Sequence, residues 1–286
     1  MATDFKTSQT QFIEYLESRR RAKATVVAYS KDIEQLTAFL ANMGKKAIGE
    51  INRDELETYL KKLASDNYTP KSISRKINSI KTFFRFLKAS GTILMDPAID
   101  IAHPKYDVKP PRVLSKLEYR ALRDACRADQ RAYAIVELLL QTGIRIGELA
   151  HLIVSDIRDT ELFIAPQEGH AQRAVPLNKP AREAISQYLT SRGKDGQNKA
   201  LFITKSGRPL LIRNIRTSID RYFRLAGIEG AKVNDLRHTF IVQHLESGTP
   251  ITAISKLVGH KRLSTTERYL TLVKESQNKN VKLDEL

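Results

Sequence analysis

The chain has 286 residues, 41% of them hydrophobic, with 48 Lys and Arg against 32 Asp and Glu for a formal net charge of +16. That length suits two domains with real cores, and a single cysteine excludes a disulfide framework or a cysteine-rich zinc site and fits a reducing compartment. The excess of cations points to a polyanion partner, nucleic acid first; it is spread over residues 1–111 (19 basic against 13 acidic) and 112–286 (29 against 19), so two folded units share it rather than one basic tail.

Phe12, Ile13 and Leu16 recur at helical spacing within 8–20 and predict a first helix that the run Arg19–Arg21 ends. A second helix is expected over 24–42, with Val27, Ile33, Leu36, Phe39 and Leu40 inward and Gly44 beyond its end. Asn52 followed by Glu55 predicts a capping box that opens a helix through Leu63. Thr69-Pro70 opens a fourth helix over 70–89, which carries six basic residues and no acidic one. At about 100° per residue, Lys71, Arg75, Lys81, Arg85 and Lys88 share one arc, and Ile73, Ile77, Ile80, Phe83, Phe84 and Leu87 fill the other. Such a helix can bury one side and lay the other along a phosphate backbone; the plainer reading is a solvated basic face.

Residues 103–112, HPKYDVKPPR, predict an extended linker because three prolines oppose a helix. Ser115 with Glu118 repeats the capping-box pattern. A buried helix follows over 130–141, ending at Thr142-Gly143, and another starts near Arg145 in TGIRIGELAHL. Its longest apolar run, AYAIVELLL, is broken by Glu137 and too short for a membrane span. Arg145 and Glu148 lie three apart and can face the same way, as a phosphate site at a helix start or as a structural ion pair. Residues 160–177 predict a hairpin with its tip near Glu168–Ala171. A helix over 180–191, a strand or turn over 201–211 and an arginine-rich helix over 213–226 complete this part. No P-loop, H-E-x-x-H, G-x-S-x-G or calcium-loop pattern occurs.

The stretch NDLRHTFIVQHLESGTPITAISKLVGHKRLSTTERY, residues 234–269, brings a cation, an imidazole and a phenol into one helical segment. Singly, each has an ordinary reading: Asn234 caps a helix starting at Asp235, Arg237 pairs with a carboxylate, His260 is a satisfied histidine and Tyr269 is one tyrosine of ten. Together they suit displacement at a phosphodiester. A phenol can attack and form a phosphotyrosine ester. Guanidiniums bind the nonbridging oxygens and stabilise the added charge. An imidazole donates a hydrogen bond or moves a proton. With arginines supplying the electrostatics, no metal is required.

These strings resemble the tyrosine recombinase, or phage integrase, family, and most closely its small Xer-type members. TGIRIGEL is similar to the first arginine box, NDLRHTF to the second, and LVGH supplies the family histidine. The nine-residue spacing from His260 to Tyr269 matches, AQRAVPL resembles the end of the family hairpin, and the first half resembles the core-binding domain. The resemblance implies a mainly α fold with a small β component. An N-terminal helical, SAM-like core-binding domain would occupy 1–102, a linker 103–112 and an α+β catalytic domain 113–272, together forming a clamp around DNA. A tail over 273–286 would either pack on a neighbouring protomer or fray. The implied catalytic set is Tyr269 as nucleophile with Arg145, Arg237, His260 and Glu148, and Arg173 joins the basic arc as a DNA contact. The implied activity is site-specific strand exchange through a 3′-phosphotyrosyl intermediate, without metal, ATP or other cofactor. It would be carried out in the cytoplasm, at the nucleoid, by a homotetramer on two double-stranded DNA sites, with or without accessory DNA-bound proteins. A DNA-binding protein of the same fold with lost cleavage, and a topoisomerase-like nicking-closing enzyme, are the alternatives. The lack of an additional N-terminal arm-binding domain points to resolution rather than phage integration.

Two positions depart from the family pattern. Asn234 stands three residues before Arg237, where the family has a histidine; an amide hydrogen-bonds but cannot shuttle a proton. The family hairpin also carries a lysine that protonates the departing 5′ oxygen, and here no lysine lies between 146 and 178. His170, at the hairpin tip and able to change charge near neutral pH, is one substitute; Lys205 is another.

Overall fold

Local capping signals set most of the amino-terminal helices. In the computed structural model, which describes residues 4–167, 170–192 and 199–279, Asp4 caps α1 (Phe5–Ser18) through the Thr7 amide. Helix α2 spans Lys23–Asn42. The Asn52–Glu55 capping box opens α3 (Arg53–Ser65), and Thr69 caps α4 (Pro70–Ala89) with proline in its first turn. Contacts divide the chain after Val108. The first unit closes around Phe12, Leu16, Ile33, Leu36, Leu56, Phe83 and Phe84. Val27, expected inward, is 68% exposed, and Val26 is buried instead. Val26, Ile33 and Leu40, seven apart, carry the stripe that α2 turns to the core.

The basic arc of α4 is not uniformly free. Arg75 makes a bidentate ion pair with Asp32 of α2 at 2.6 and 2.8 Å. Lys76 is buried and binds the same carboxylate at 2.9 Å, and Ser79 donates to it at 2.6 Å. Lys81 donates to the Ile99 carbonyl at 3.1 Å. The acidic partner missing from α4 is thus supplied by α2, so Arg75 is first a structural anchor. Lys71, Arg85 and Lys88 remain exposed.

In the second unit the Ser115–Glu118 box opens α5 (Lys116–Cys126). Helix α6 (Gln130–Thr142) is buried on nearly every side and forms the axis of the core. Around it lie α7 (Ile146–Ala150), α8 (Lys179–Ser191) and α9 (Ile212–Leu225). Strands β1 (Glu161–Ile164) and β2 (Arg173–Pro176) pair antiparallel, with Leu162 opposite Val175 and Ile164 opposite Arg173. At the expected hairpin tip, Gln167 bridges His170, and Glu168 and Gly169 lie outside the described residues. The stretch expected to form one helical segment is divided into α10 (Val233–Glu246), α11 (Ile251–Val258) and α12 (Ser264–Glu267), with α13 (Leu270–Lys279) following. Helix α10 starts earlier than expected. Lys232 is its N-cap and Asp235 accepts the Lys232 amide at 2.7 Å, so Asn234 sits inside the first turn and does not cap it. Val273 of α13 is buried against α10 and α11. Residues 280–286 of the expected tail lie outside the described residues. No described helix is long and apolar enough to cross a membrane.

Burial raises the Asp32 pKa, but Arg75, Ser79 and Lys76 together outweigh it and hold the carboxyl below its usual range. Asp32→Ala leaves the buried Lys76 ammonium without its carboxylate. It is expected to destabilise the amino-terminal unit by about 3–5 kcal/mol. The check is the urea midpoint of the full-length protein, and an unchanged midpoint would show that the cluster is not holding α2 to α4.

Candidate active site

The site is built on the end of α11. This helix stops at Gly259, whose φ of +66° is left-handed, and its last carbonyls have no intrahelical donors. Three guanidiniums supply them. Arg173 Nε donates to Leu257 O at 2.7 Å, and Arg237 Nη2 to Val258 O at 2.6 Å. Arg145 Nη2 donates to Gly259 O at 2.9 Å, with Nη1 3.4 Å from Val258 O. The negative end of the helix dipole favours cations here. A Cβ on residue 259 would approach Arg173 Nη1 to 2.9 Å, so glycine meets both the backbone angle and the close approach.

Glu148 is the carboxylate of the cluster. It is buried, with Arg173 bidentate at 2.9 and 2.8 Å, Arg145 Nη1 at 3.0 Å and the Arg145 amide at 2.7 Å. Burial pushes its pKa up, but Arg173 and then Arg145 prevail and hold it at about 2. Arg145 caps α7 and its side chain is 30% exposed. Arg237 is buried, and its Nη1 donates to Gly143 O at 2.6 Å. Gly143 ends α6 in the left-handed region, and a Cβ there would fall 2.4 Å from the Phe240 ring. Burial and then Arg145 lower the Arg237 pKa, yet a guanidinium starts so high that it stays charged. Three cations thus face one carboxylate. Arg173, expected at DNA, has a side chain that is 10% exposed and turned inward onto Glu148 and Leu257.

Tyr269 is buried beside this cluster, and two imidazoles pack against its ring. The His260 ring lies 6.4 Å away, inclined at 15°, and the His238 ring 5.8 Å away at 55°. Burial raises the phenol pKa against the opposing pull of Arg237 and Arg268, so the resting nucleophile candidate is protonated. His260 Nδ1 is 2.8 Å from Oγ1 of the buried Thr266. Burial, then Arg237 and Arg145, bring the His260 pKa down to about 4, which keeps this imidazole neutral at neutral pH. His170 is half-buried and within electrostatic reach of Arg145, Lys261 and His260; burial first and Arg145 second lower its pKa. Lys205 is exposed on a cleft lined by Asp129, Arg131, Tyr188 and Thr204. Asn234 is exposed and its Nδ2 lies 2.7 Å from His238 Nε2.

The structure therefore brings together Arg145, Glu148, Arg173, Arg237, His260 and Tyr269, with His170 at the edge. Sequence reasoning missed His238 and Thr266. The spacing of Asn234 and His238, four apart on one helix, was a usable signal; Thr266 offered none. Among the described residues, no group of three or more His, Cys, Asp or Glu side chains is placed to hold a metal ion.

Residues 112–276 match the sequence profile described as the phage integrase family, and residues 10–91 match that of the phage integrase N-terminal SAM-like domain. A protein named tyrosine recombinase XerC, from Lactobacillus delbrueckii subsp. bulgaricus (strain ATCC BAA-365 / Lb-18), is 31% identical over 280 residues, covering 92% of this chain and 93% of the relative. The crystal structure of XerA recombinase aligns with a TM-score of 0.55 at 27% identity, over 97% of this chain and 99% of that one. A lambda integrase tetramer bound to a Holliday junction aligns with a TM-score of 0.75 at 19% identity, over 91% of this chain and 78% of that one, which shows a shared fold. With both halves matched in order and the arginine, histidine and tyrosine strings folded into one site, the chain belongs to the phage integrase family of tyrosine recombinases.

Proposed function

We propose that Tyr269 is the nucleophile of a site-specific DNA recombinase and that Arg145 and Arg237 hold the scissile phosphate. The observation that carries this is the meeting of Tyr269, the neutral His260 and two arginines that share the Val258 carbonyl. In the cleavage step the Tyr269 oxygen bonds to phosphorus and the P–O5′ bond breaks. The phenol gives up its proton, with the neutral His260 imidazole as acceptor, and the departing O5′ gains one. In rejoining, a 5′ hydroxyl of the partner duplex attacks the 3′-phosphotyrosine and Tyr269 leaves as a phenol. The ester conserves the bond energy, so the cycle needs no nucleotide hydrolysis.

The cluster carries three guanidiniums and one carboxylate. That excess of positive charge suits a phosphodiester anion and suits better the additional charge of its pentacoordinate transition state. Lys71, Arg85 and Lys88 on α4 supply sequence-independent grip on the duplex backbone, a contribution that weakens with salt. The active assembly is four protomers on two DNA sites, in keeping with the tetramer of the structurally similar lambda integrase. His170 donates the proton to O5′ in place of the hairpin lysine. Its electrostatic reach to Arg145 and His260 supports that role, and a bound phosphate anion offsets the cationic surroundings that, after burial, lower its pKa.

A duplex selected by the protein from a random-sequence pool, nicked near the cleavage point, provides the test. Wild type is expected to form a covalent adduct that resists denaturation. Tyr269→Phe is expected to bind the same duplex within about twofold, since only the hydroxyl is lost, and to form no adduct. An adduct in the variant overturns the nucleophile, and intact specific binding with no wild-type adduct identifies a DNA-binding protein with lost cleavage. His170→Ala is expected to slow cleavage by about a hundredfold, the lower range for a missing general acid. A 5′-bridging phosphorothiolate, whose leaving group needs no proton, should restore the rate; failure of rescue overturns the assignment of His170.

A further inference from the structure

We propose that Asn234 acts on catalysis through His238, and that His238 is a positioning residue that sets the Tyr269 ring for attack. This rests on the reading of Tyr269 as nucleophile. The Asn234 amide nitrogen is 2.7 Å from His238 Nε2. An NH2 group only donates, so Nε2 accepts and the ring proton is on Nδ1. His238 Nδ1 is buried with no hydrogen-bond partner, and Asp235 Oδ1 lies 3.4 Å from it. The other oxygen of Asp235 is occupied by the Lys232 amide at the helix start. The imidazole is therefore fixed by one strong bond, that from Asn234, and by its packing against Tyr269 at 5.8 Å.

The mounting of this imidazole is rigid. His238 follows Arg237, which fastens α10 to Gly143 O and Val258 O at 2.6 Å each. Asn234 lies one helical turn earlier on the same face. The chain of contact runs from Asn234 to His238 to Tyr269, within a single helix up to the nucleophile. The position that the family pattern fills with a histidine is used here to hold a second histidine, so Asn234 is not a ligand of the phosphate.

A double-mutant cycle tests this on the single-turnover rate of adduct formation at saturating protein, with DNA affinity measured alongside. Asn234→Ala is expected to slow adduct formation by about tenfold, within the range for directly coupled neighbours, and to leave affinity unchanged. In a His238→Phe background, which keeps a ring against Tyr269 but offers Asn234 no acceptor, the same substitution is expected to cost less than about twofold. Multiplicative effects in the double variant, a loss of affinity on Asn234→Ala, or no effect of Asn234→Ala in wild type each overturn the proposal. Circular dichroism and retained DNA binding check that His238→Phe is folded; if it is not, His238→Leu replaces it in the cycle. Failure of the underlying reading is seen separately, as an adduct that survives Tyr269→Phe.

Discussion

Everything at the site depends on how three guanidiniums are kept together. Like charges at this spacing repel, and within their own elements only Arg145 has a carboxylate partner, Glu148 of α7. The C-terminus of α11 solves this with three successive carbonyls, Leu257, Val258 and Gly259, that its own backbone cannot use. Glu148 adds the one buried carboxylate, bound to Arg145 and Arg173. Because Arg145 and Val258 are 113 residues apart, the same contacts tie α7 to α11 and fix His260, the next residue after the turn. The strings TGIR, IGEL, LRH and LVGH are thus one physical object. Gly143 O takes Arg237, Glu148 takes Arg145, and Gly259 makes room for Arg173.

This arrangement has an electrostatic consequence. The arginine cluster is cationic, while the phenol and imidazole beside it are held neutral. Burial raises Tyr269, and burial with Arg237 and Arg145 brings His260 down to about 4. The positive charge of the site therefore lies on side chains that do not titrate in the working range. A phosphate anion entering it meets fixed charge, and the imidazoles beside it gain basicity once the anion offsets the arginines.

What could be read from the chain follows the range of the interaction concerned. Helix α4 was legible to the residue because Thr69 and Pro70 act within one turn. The capping boxes at Asn52 and Ser115 were legible for the same reason. Val27 was misplaced because tertiary packing, not periodicity alone, chose which adjacent valine of α2 to bury. Arg75 read as a free phosphate contact because Asp32, its partner, is 43 residues away and on another helix. The inward contacts of Arg173 were hidden likewise, since its acceptors lie 25 and 84 residues away in sequence. Tyr269, His260, Arg145 and Arg237 were visible only as an ordered set of strings. His238 was hidden inside one of them, because its neighbour Arg237 already explained the string.

The two departures from the family pattern differ in kind. Asn234 lies within a turn of a residue that can use it, so the substitution is absorbed locally: the amide binds His238 and the ring packing of Tyr269 is retained. A missing proton donor at the hairpin has no such local remedy. Lys205 lines a cleft with Asp129, Arg131 and Tyr188, none of them a member of the arginine cluster. His170 has a titratable side chain with electrostatic reach to Arg145, Glu148 and His260, and burial, then Arg145, disfavour its charged form. In the proposed role, the phosphate that needs the proton also supplies negative charge that favours the charged form of His170. With His170 as the proposed donor, leaving-group protonation is coupled to correct seating of the phosphate, whereas a lysine, charged at rest, would impose no such order.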